Sequence, residues 1–405
     1  MYSSAHPSPR SNGSQSINVL SDSPDSRSQP SETGPGYLGF TSFSAVYQET
    51  QNSLSLVKGP LMGISSIATT SPPVSALETG DAGTTAIVLS PRSLEASLNV
   101  LSRIPTQEVA LSLFAKHTNP NDGWVRLAAK RVIESLVSVF GRTLRSRKPR
   151  DLEEMARLLS SNTARQLTED EPDSDAWLSS FSGRNMRWES LGILFTYWAL
   201  GELADQPHRP ELRKSDKNPA QLTLVYREAA QICIELCKGC APNSLLLYLT
   251  YKVAILESMN AGDAAPSFWR LHGENIALLT YLGLHALQDE KPYVPTASKE
   301  VKRRLVSQLF VIDKVAASFS GRPPLLSRKY MLTPLPLDIC DEVLMSDPEA
   351  IANAVEALDE DGWNREGKCY STTIVRARSK LARVMDEVME VALGSSAYTS
   401  IDALL

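Results

Sequence analysis

From residue 90 onward, apolar side chains recur at steps of three and four, the period of one helix face, whereas the first 36 residues carry almost none. Leu94, Leu98 and Leu101 form the first such stripe, and similar runs cover 106–116, 124–145, 151–167, 187–203, 218–239, 244–259, 267–285, 298–320 and 371–393. Ser90-Pro91, Asn218-Pro219 and Asp347-Pro348 each pair an N-cap residue with a proline at the first helical position, which fixes three helix starts. The pattern predicts an all-α, multi-helix domain. Neither a long internal repeat nor a sustained heptad accompanies it.

Two of these segments stand out. In 298–320, Val301, Leu305, Leu309, Ile312, Ala316 and Phe319 make the stripe. Ser298 is the expected N-cap, Gly321 suits the left-handed terminal position, and Pro323-Pro324 forbids continuation. Lys299, Lys302, Arg303 and Arg304 crowd the first turns, against the helix dipole, so acidic side chains from elsewhere or solvent must offset them. In 187–203, RWESLGILFTYWALG is apolar almost all round and is expected to be the central core helix. Trp188 would pack in the core, Gly192 would permit close helix approach, and Glu189 is a candidate counter-charge for the Lys302–Arg304 cluster.

The polar positions divide the chain further. Residues 1–36 read as a disordered Ser/Pro-rich tail, which buries too little to offset backbone ordering of about 1–2 kcal/mol per residue. Residues 37–89 read as an extended docking segment followed by loop, 90–394 as the helical domain, and 395–405 as a second tail. A formal charge of −5 excludes wrapping nucleic acid by bulk electrostatics. Five cysteines and a polar N-terminus suggest reduced thiols in an intracellular protein. The longest apolar runs are too short to span a bilayer.

Candidate chemistry is sparse. Cys233, Cys237 and Cys240 share a helix face and could offer thiolates to a soft metal, but buried structural thiols are the expected reading. Asp359-Glu360-Asp361 lacks the spacing of a magnesium or calcium site, and Gly362 is expected to end its helix at once. The histidines form no H-E-x-x-H pair; His285 is expected at a helix C-terminus, where a protonated ring favours the dipole. Arg322 is expected to hold the bend after 298–320 through a carboxylate or helix-end carbonyls. The basic run at Arg142, Arg145, Arg147, Lys148 and Arg150 reads either as a nuclear-import signal or as a solvated helix end. No catalytic, cofactor-binding or metal-binding residue is expected.

Several of these stretches together resemble the regulatory (middle homology) domain of fungal-specific transcription factors. The residues that carry the resemblance are Arg303, Arg304, Leu309, Phe310, Asp313, Lys314, Gly321, Arg322, Pro323, Pro334 and Pro336, with "RWE-x-LG" at Trp188, Glu189 and Gly192. The "W-x3-G-x2-I-x-L-x4-GLH" pattern ending at His285, the opening helix at 104–120 and the "YLG" entry at 37–39 extend it to 37–393. A tryptophan common after the basic residues is replaced here by Val306-Ser307. The resemblance implies a nuclear transcription regulator, controlling a metabolic or secondary-metabolite gene cluster, with other transcription proteins or a homo- or heterodimer as partners and a small-molecule effector as a candidate ligand. The family's DNA contacts come from a six-cysteine zinc cluster, which five cysteines cannot form. DNA would be reached indirectly or through an N-terminal module, lost by gene-model truncation or supplied by a partner. The rival expectations are an all-helical enzyme or small-molecule-binding protein, and a cytoplasmic scaffold.

Overall fold

The computed structural model describes residues 89–117, 126–205, 219–289 and 293–394. The expected tails at 1–36 and 395–405 and the docking segment at 37–89 lie outside them, apart from Leu89. Within them are thirteen α-helices and no strand, so the chain is all-α where it is described.

The first five helices are α1 (Pro91–Ser102), α2 (Gln107–Lys116), α3 (Arg126–Ser146), α4 (Pro149–Ala164) and α5 (Ser174–Ser179). The middle of the domain holds α6 (Trp188–Asp205), α7 (Pro219–Leu236), α8 (Ser244–Ala261) and α9 (Pro266–Tyr281). After α10 (Ala297–Ser320) come the short α11 (Asp341–Leu344) and α12 (Pro348–Glu356), then the closing α13 (Ser371–Leu393). The Ser90 hydroxyl accepts from the Ser93 N–H, and the Asp347 carboxylate from the Ala350 N–H, as the Ser-Pro and Asp-Pro pairs predict.

Helix α6 is the hub of the apolar core. Every residue from Trp188 to Gly201 is buried, and α2, α7 and α8 pack along it. Small residues set these approaches. A Cβ on Gly192 would lie 2.6 Å from Leu249 Cδ2 and 3.0 Å from Cys233 Cβ, so α7 and α8 close onto α6 at this point. Gly201 is tighter still, because a Cβ there would meet the Leu113 carbonyl oxygen of α2 at 2.2 Å. Aromatic edges fill the remaining space: Phe195 meets Trp198 at 5.0 Å and 87°, and Phe114 meets Tyr197 at 5.3 Å and 77°.

Helix α10 pairs mainly with α13 and differs from its sequence expectation at both ends. The N-cap is Thr296, whose hydroxyl accepts from the Lys299 N–H; Ser298 sits inside the helix and donates to the Glu169 carbonyl instead. Phe319, assigned to the buried stripe, is 73% exposed, because the partners of that stripe run out before the last turn. Gly321 ends the helix at φ 65°, in the left-handed region as predicted. The Asp359–Asp361 run does not end a helix; α12 has stopped at Glu356, and Gly362 (φ 84°) closes a turn in which Asp359 Oδ1 accepts from the Trp363 N–H.

Candidate functional site

The first turns of α10 are basic yet buried, and acids from other segments resolve the dipole conflict. Lys302 meets Asp170 Oδ1 at 2.9 Å and Glu169 Oε2 at 3.2 Å, and donates to the Glu169 carbonyl at 2.7 Å. Arg303 pairs with Asp289, reaches Glu300 at 3.5 Å and lies 3.9 Å over the Tyr293 ring. Arg304 meets Asp341 Oδ1 at 2.6 Å and the Ile339 carbonyl at 3.4 Å. Each cation thus ties α10 to a different stretch of chain. Glu189 is not among these partners, which corrects the expectation drawn from its sequence.

Glu189 belongs instead to the RWE segment. Arg187, buried, donates to Glu189 Oε1 at 3.0 Å and to the carbonyls of Asn162, Thr163 and Arg165, the open C-terminal end of α4. Glu189 also accepts from Thr163 Oγ1 and from Asn243, which in turn caps α8 through the Leu246 N–H. Trp188 donates its indole N–H to Ser160 at 2.9 Å. The motif therefore joins three helix ends at one point.

Further along α10, Asp313 and Lys314 form a second buried hub. Asp313 Oδ1 lies 2.9 Å from His272 Nε2 and accepts from the Leu325 N–H at 3.0 Å; Oδ2 accepts from Lys314 at 2.9 Å and from the Leu326 N–H at 3.0 Å. Burial pushes the Asp313 carboxyl up, but hydrogen bonds from His272 and Lys314, together with the lysine charge, outweigh it and hold the group below the usual carboxylate range. Lys314 also meets Asp386 of α13 at 2.7 Å and donates to the Leu326 carbonyl. The GRPPLL turn is thus clamped to α10 by its own backbone N–H groups. Arg322 serves the same turn, with a different partner from the one expected: it donates to the Ala264 carbonyl at 3.3 Å and stacks 5.1 Å from Trp269. Pro323 is exposed.

Other expectations resolve around these hubs. Cys233 and Cys237 are buried, and burial, with Glu189 adding to it, pushes both thiols well above their ordinary range, so neither is a ready thiolate. His285 does not end a long helix as expected: α9 stops at Tyr281, His285 lies in the turn Leu284–Ala286, and burial pushes its pKa down. In the basic run, Arg147 takes φ 48° and donates to the carbonyls of Ser102 and Ile104, fastening the α3–α4 junction to the end of α1. Arg142, Arg145, Lys148 and Arg150 are exposed.

Between α2, α6, α8, α10 and α13 lies a cavity of about 520 Å³. Leu200, Leu203, Ile255, Val311 and Ile312 supply its apolar walls. Lys252 is buried in the wall, with its ammonium 4.7 Å over the Tyr197 ring. Lys116, His117, Tyr251, Gln308 and Arg378 add polar groups, and among the described residues no Asp or Glu lines it. Among the described residues, no group of His, Cys, Asp and Glu is arranged to hold a metal ion.

The sequence model described as "Fungal specific transcription factor domain" matches residues 190–400, slightly more than half of the chain. The chain belongs to this family. The matched stretch begins inside α6 and takes in both the Asp313 hub and most of the cavity wall, but not the sequence resemblance noted before residue 190. A curated relative, "Transcription factor FBD3" of Gibberella moniliformis (strain M3125 / FGSC 7600), is 26% identical over 155 residues, 38% of this chain. That stretch spans 20% of the relative's own length. No solved structure matches the chain.

Proposed function

We propose that this chain is a non-catalytic regulatory module acting in transcription in the nucleus, on DNA that another module or partner reads. The family match over 190–400 carries the reading. It is supported by the fate of the basic residues in the family's most characteristic helix: Lys302, Arg303 and Arg304 are buried in pairs with acids, so they offer no cationic face to phosphates. That its target genes belong to a metabolic or secondary-metabolite cluster is part of this proposal and is tested by transcript profiling of a deletion strain. The reading itself is tested by tethering the chain to a heterologous DNA-binding domain and measuring a reporter; an unchanged reporter, together with an exclusively cytoplasmic tagged protein, would overturn it.

The partner is a second copy of the chain, pairing through α13. Leu381, Val384 and Val388 follow one another at steps of three and four and are 60%, 55% and 60% exposed, with Val391 continuing the seam. The charges beside the seam are largely satisfied within the chain, Glu387 and Glu390 by Arg328 and Lys329 and Lys380 by Asp361, so the apolar stripe is what a second copy would cover. Val384→Glu with Val388→Glu is expected to leave the fold intact and convert a dimer to a monomer in light scattering. A wild-type monomer at high concentration would refute the pairing.

A further inference from the structure

We propose that the junction between α3 and α4 is a contact surface for the phosphate backbone of duplex DNA, bound without regard to sequence. Arg142, Arg145, Lys148 and Arg150 fall within nine residues, and all four are exposed. None of their side chains forms an ion pair with a described residue. Several exposed cations elsewhere sit beside a carboxylate, as Arg131 does with Asp175 at 2.8 Å and Lys238 with Glu235 at 2.6 Å. The acids that follow the junction in sequence do not neutralise it. Asp151 accepts from Ser146 Oγ at 3.2 Å, and Glu153 lies 3.9 Å from Arg157. Glu154 is exposed and pairs with none of the four. A chain of net charge −5 therefore carries a compact, unneutralised basic patch.

The patch is also fixed in shape. Arg147, at φ 48°, fastens the junction to the end of α1 through the carbonyls of Ser102 and Ile104. Arg142 and Arg145 are three apart in α3 and so are neighbours on its surface; Lys148 and Arg150 flank Pro149, where α4 begins. Cations held at two joined helix ends lose little freedom when they meet an anionic polymer. The same geometry disfavours a linear import signal, since a receptor that reads an extended peptide would have to unwind both helix ends. An acidic protein fits less well too: between Arg142 and Arg150 no large apolar side chain is exposed, so a protein interface would lack a core. Three of the four cations are arginines, whose planar fork matches phosphate oxygens. Backbone contacts position a protein but carry no sequence information. The patch thus adds affinity for DNA whose sequence another module or partner reads. The phosphate contact rests on the patch alone, whereas its use in transcription rests on the regulatory reading above.

The test measures binding of the full chain to a short fluorescent duplex by anisotropy, over a range of salt concentrations. Saturable binding is expected at low salt, weakening with a slope of about −3 to −4 in log K against log salt, as four neutralised phosphates require. Shuffling the duplex sequence should leave the affinity unchanged. Arg142→Glu with Arg145→Glu and Arg150→Glu should lower affinity at least about tenfold and cut the slope by about 3. All three side chains are exposed, so the melting temperature should hold. The same triple reversal placed elsewhere, at Arg92, Arg378 and Arg383, should have little effect. Three results would overturn the proposal: no binding at the lowest salt; equal losses from the two triple variants, or none from the junction variant; or tighter binding of polyglutamate or of phosphatidylserine vesicles than of the duplex. An unchanged reporter in the tethering assay, with junction-dependent DNA binding intact, would count against the regulatory reading and leave the surface standing.

Discussion

Helices α6 and α10 are both central and both buried, but by opposite means. Helix α6 presents apolar side chains all round and is packed by α2, α7 and α8, with Gly192 and Gly201 setting the distances. Helix α10 buries Lys302, Arg303, Arg304, Asp313 and Lys314, each satisfied by a partner from a different segment. The first kind of burial is forgiving, since any well-shaped apolar neighbour will serve. The second is specific, because a buried charge without its partner is strongly unfavourable. Helix α6 thus gives the domain a core, and α10 fixes which segments surround it.

Substitutions can break this contrast directly. Lys314→Met leaves two buried carboxylates, Asp313 and Asp386, without their shared cation, and is expected to cost about 3–5 kcal/mol, read as a large loss of melting temperature. On α6, Leu194→Ala removes a fully packed side chain and is expected to cost about 2–5 kcal/mol. Restoring volume there with methionine should recover most of it, whereas Lys314→Met with Asp386→Asn should recover little unless Asp313 is neutralised too. Gly192→Ala is expected to cost about 1–3 kcal/mol through overpacking against Leu249. Gly201→Ala should cost more than Gly192→Ala, because it meets a backbone carbonyl of α2 and not a side chain that can rotate.

A smaller effect separates the two regions by pH. The folded pKa of Asp313 lies below its unfolded value, so its contribution is fully present above about pH 4 and is lost as pH falls through the folded value. Glu300 runs the other way. Burial, opposed by Arg303 and by bonds from Tyr293 and Leu337, leaves its pKa raised, so its contribution is greatest at acid pH and declines as pH rises through the folded value. Asp313→Asn should therefore flatten the acid limb of a melting-temperature profile, while the same profile of Leu194→Ala should be displaced downward without change of shape. An unchanged acid limb in Asp313→Asn would show that this carboxylate is not linked to folding.

The same contrast explains what could be read in advance. Helix positions followed from the apolar period, and α13 was delimited residue for residue, because its caps and stripe are local features. Trp188, Gly192 and Gly321 were likewise legible, since a large apolar ring in an all-apolar helix and a glycine before Pro-Pro each permit few structural roles. The acids that neutralise α10 were not, because Glu169, Asp170, Asp289 and Asp341 sit in loops or at helix starts where any carboxylate looks solvated. His272 and Asp386 were missed for the same reason: nothing in their own neighbourhoods marks them as buried. Adjacent Asp313-Lys314 on an otherwise apolar face was the one available signal. The cavity had no local signature, since its walls come from five helices spread over most of the described chain.

The Lys314–Asp386 pair also bears on how the chain is made. Synthesis runs from the N-terminus, so Glu169, Asp170 and Asp289 have already emerged when Lys302 and Arg303 leave the ribosome, whereas Asp341 and Asp386 have not. For that interval Arg304 lacks Asp341, and Lys314 has its neighbour Asp313 but not Asp386, so the middle of α10 is only partly neutralised. The nascent domain is therefore held open along α10 until the final helix arrives, and a ribosome stalled before α13 would carry a chain whose first half is folded and whose signature helix is still hydrated.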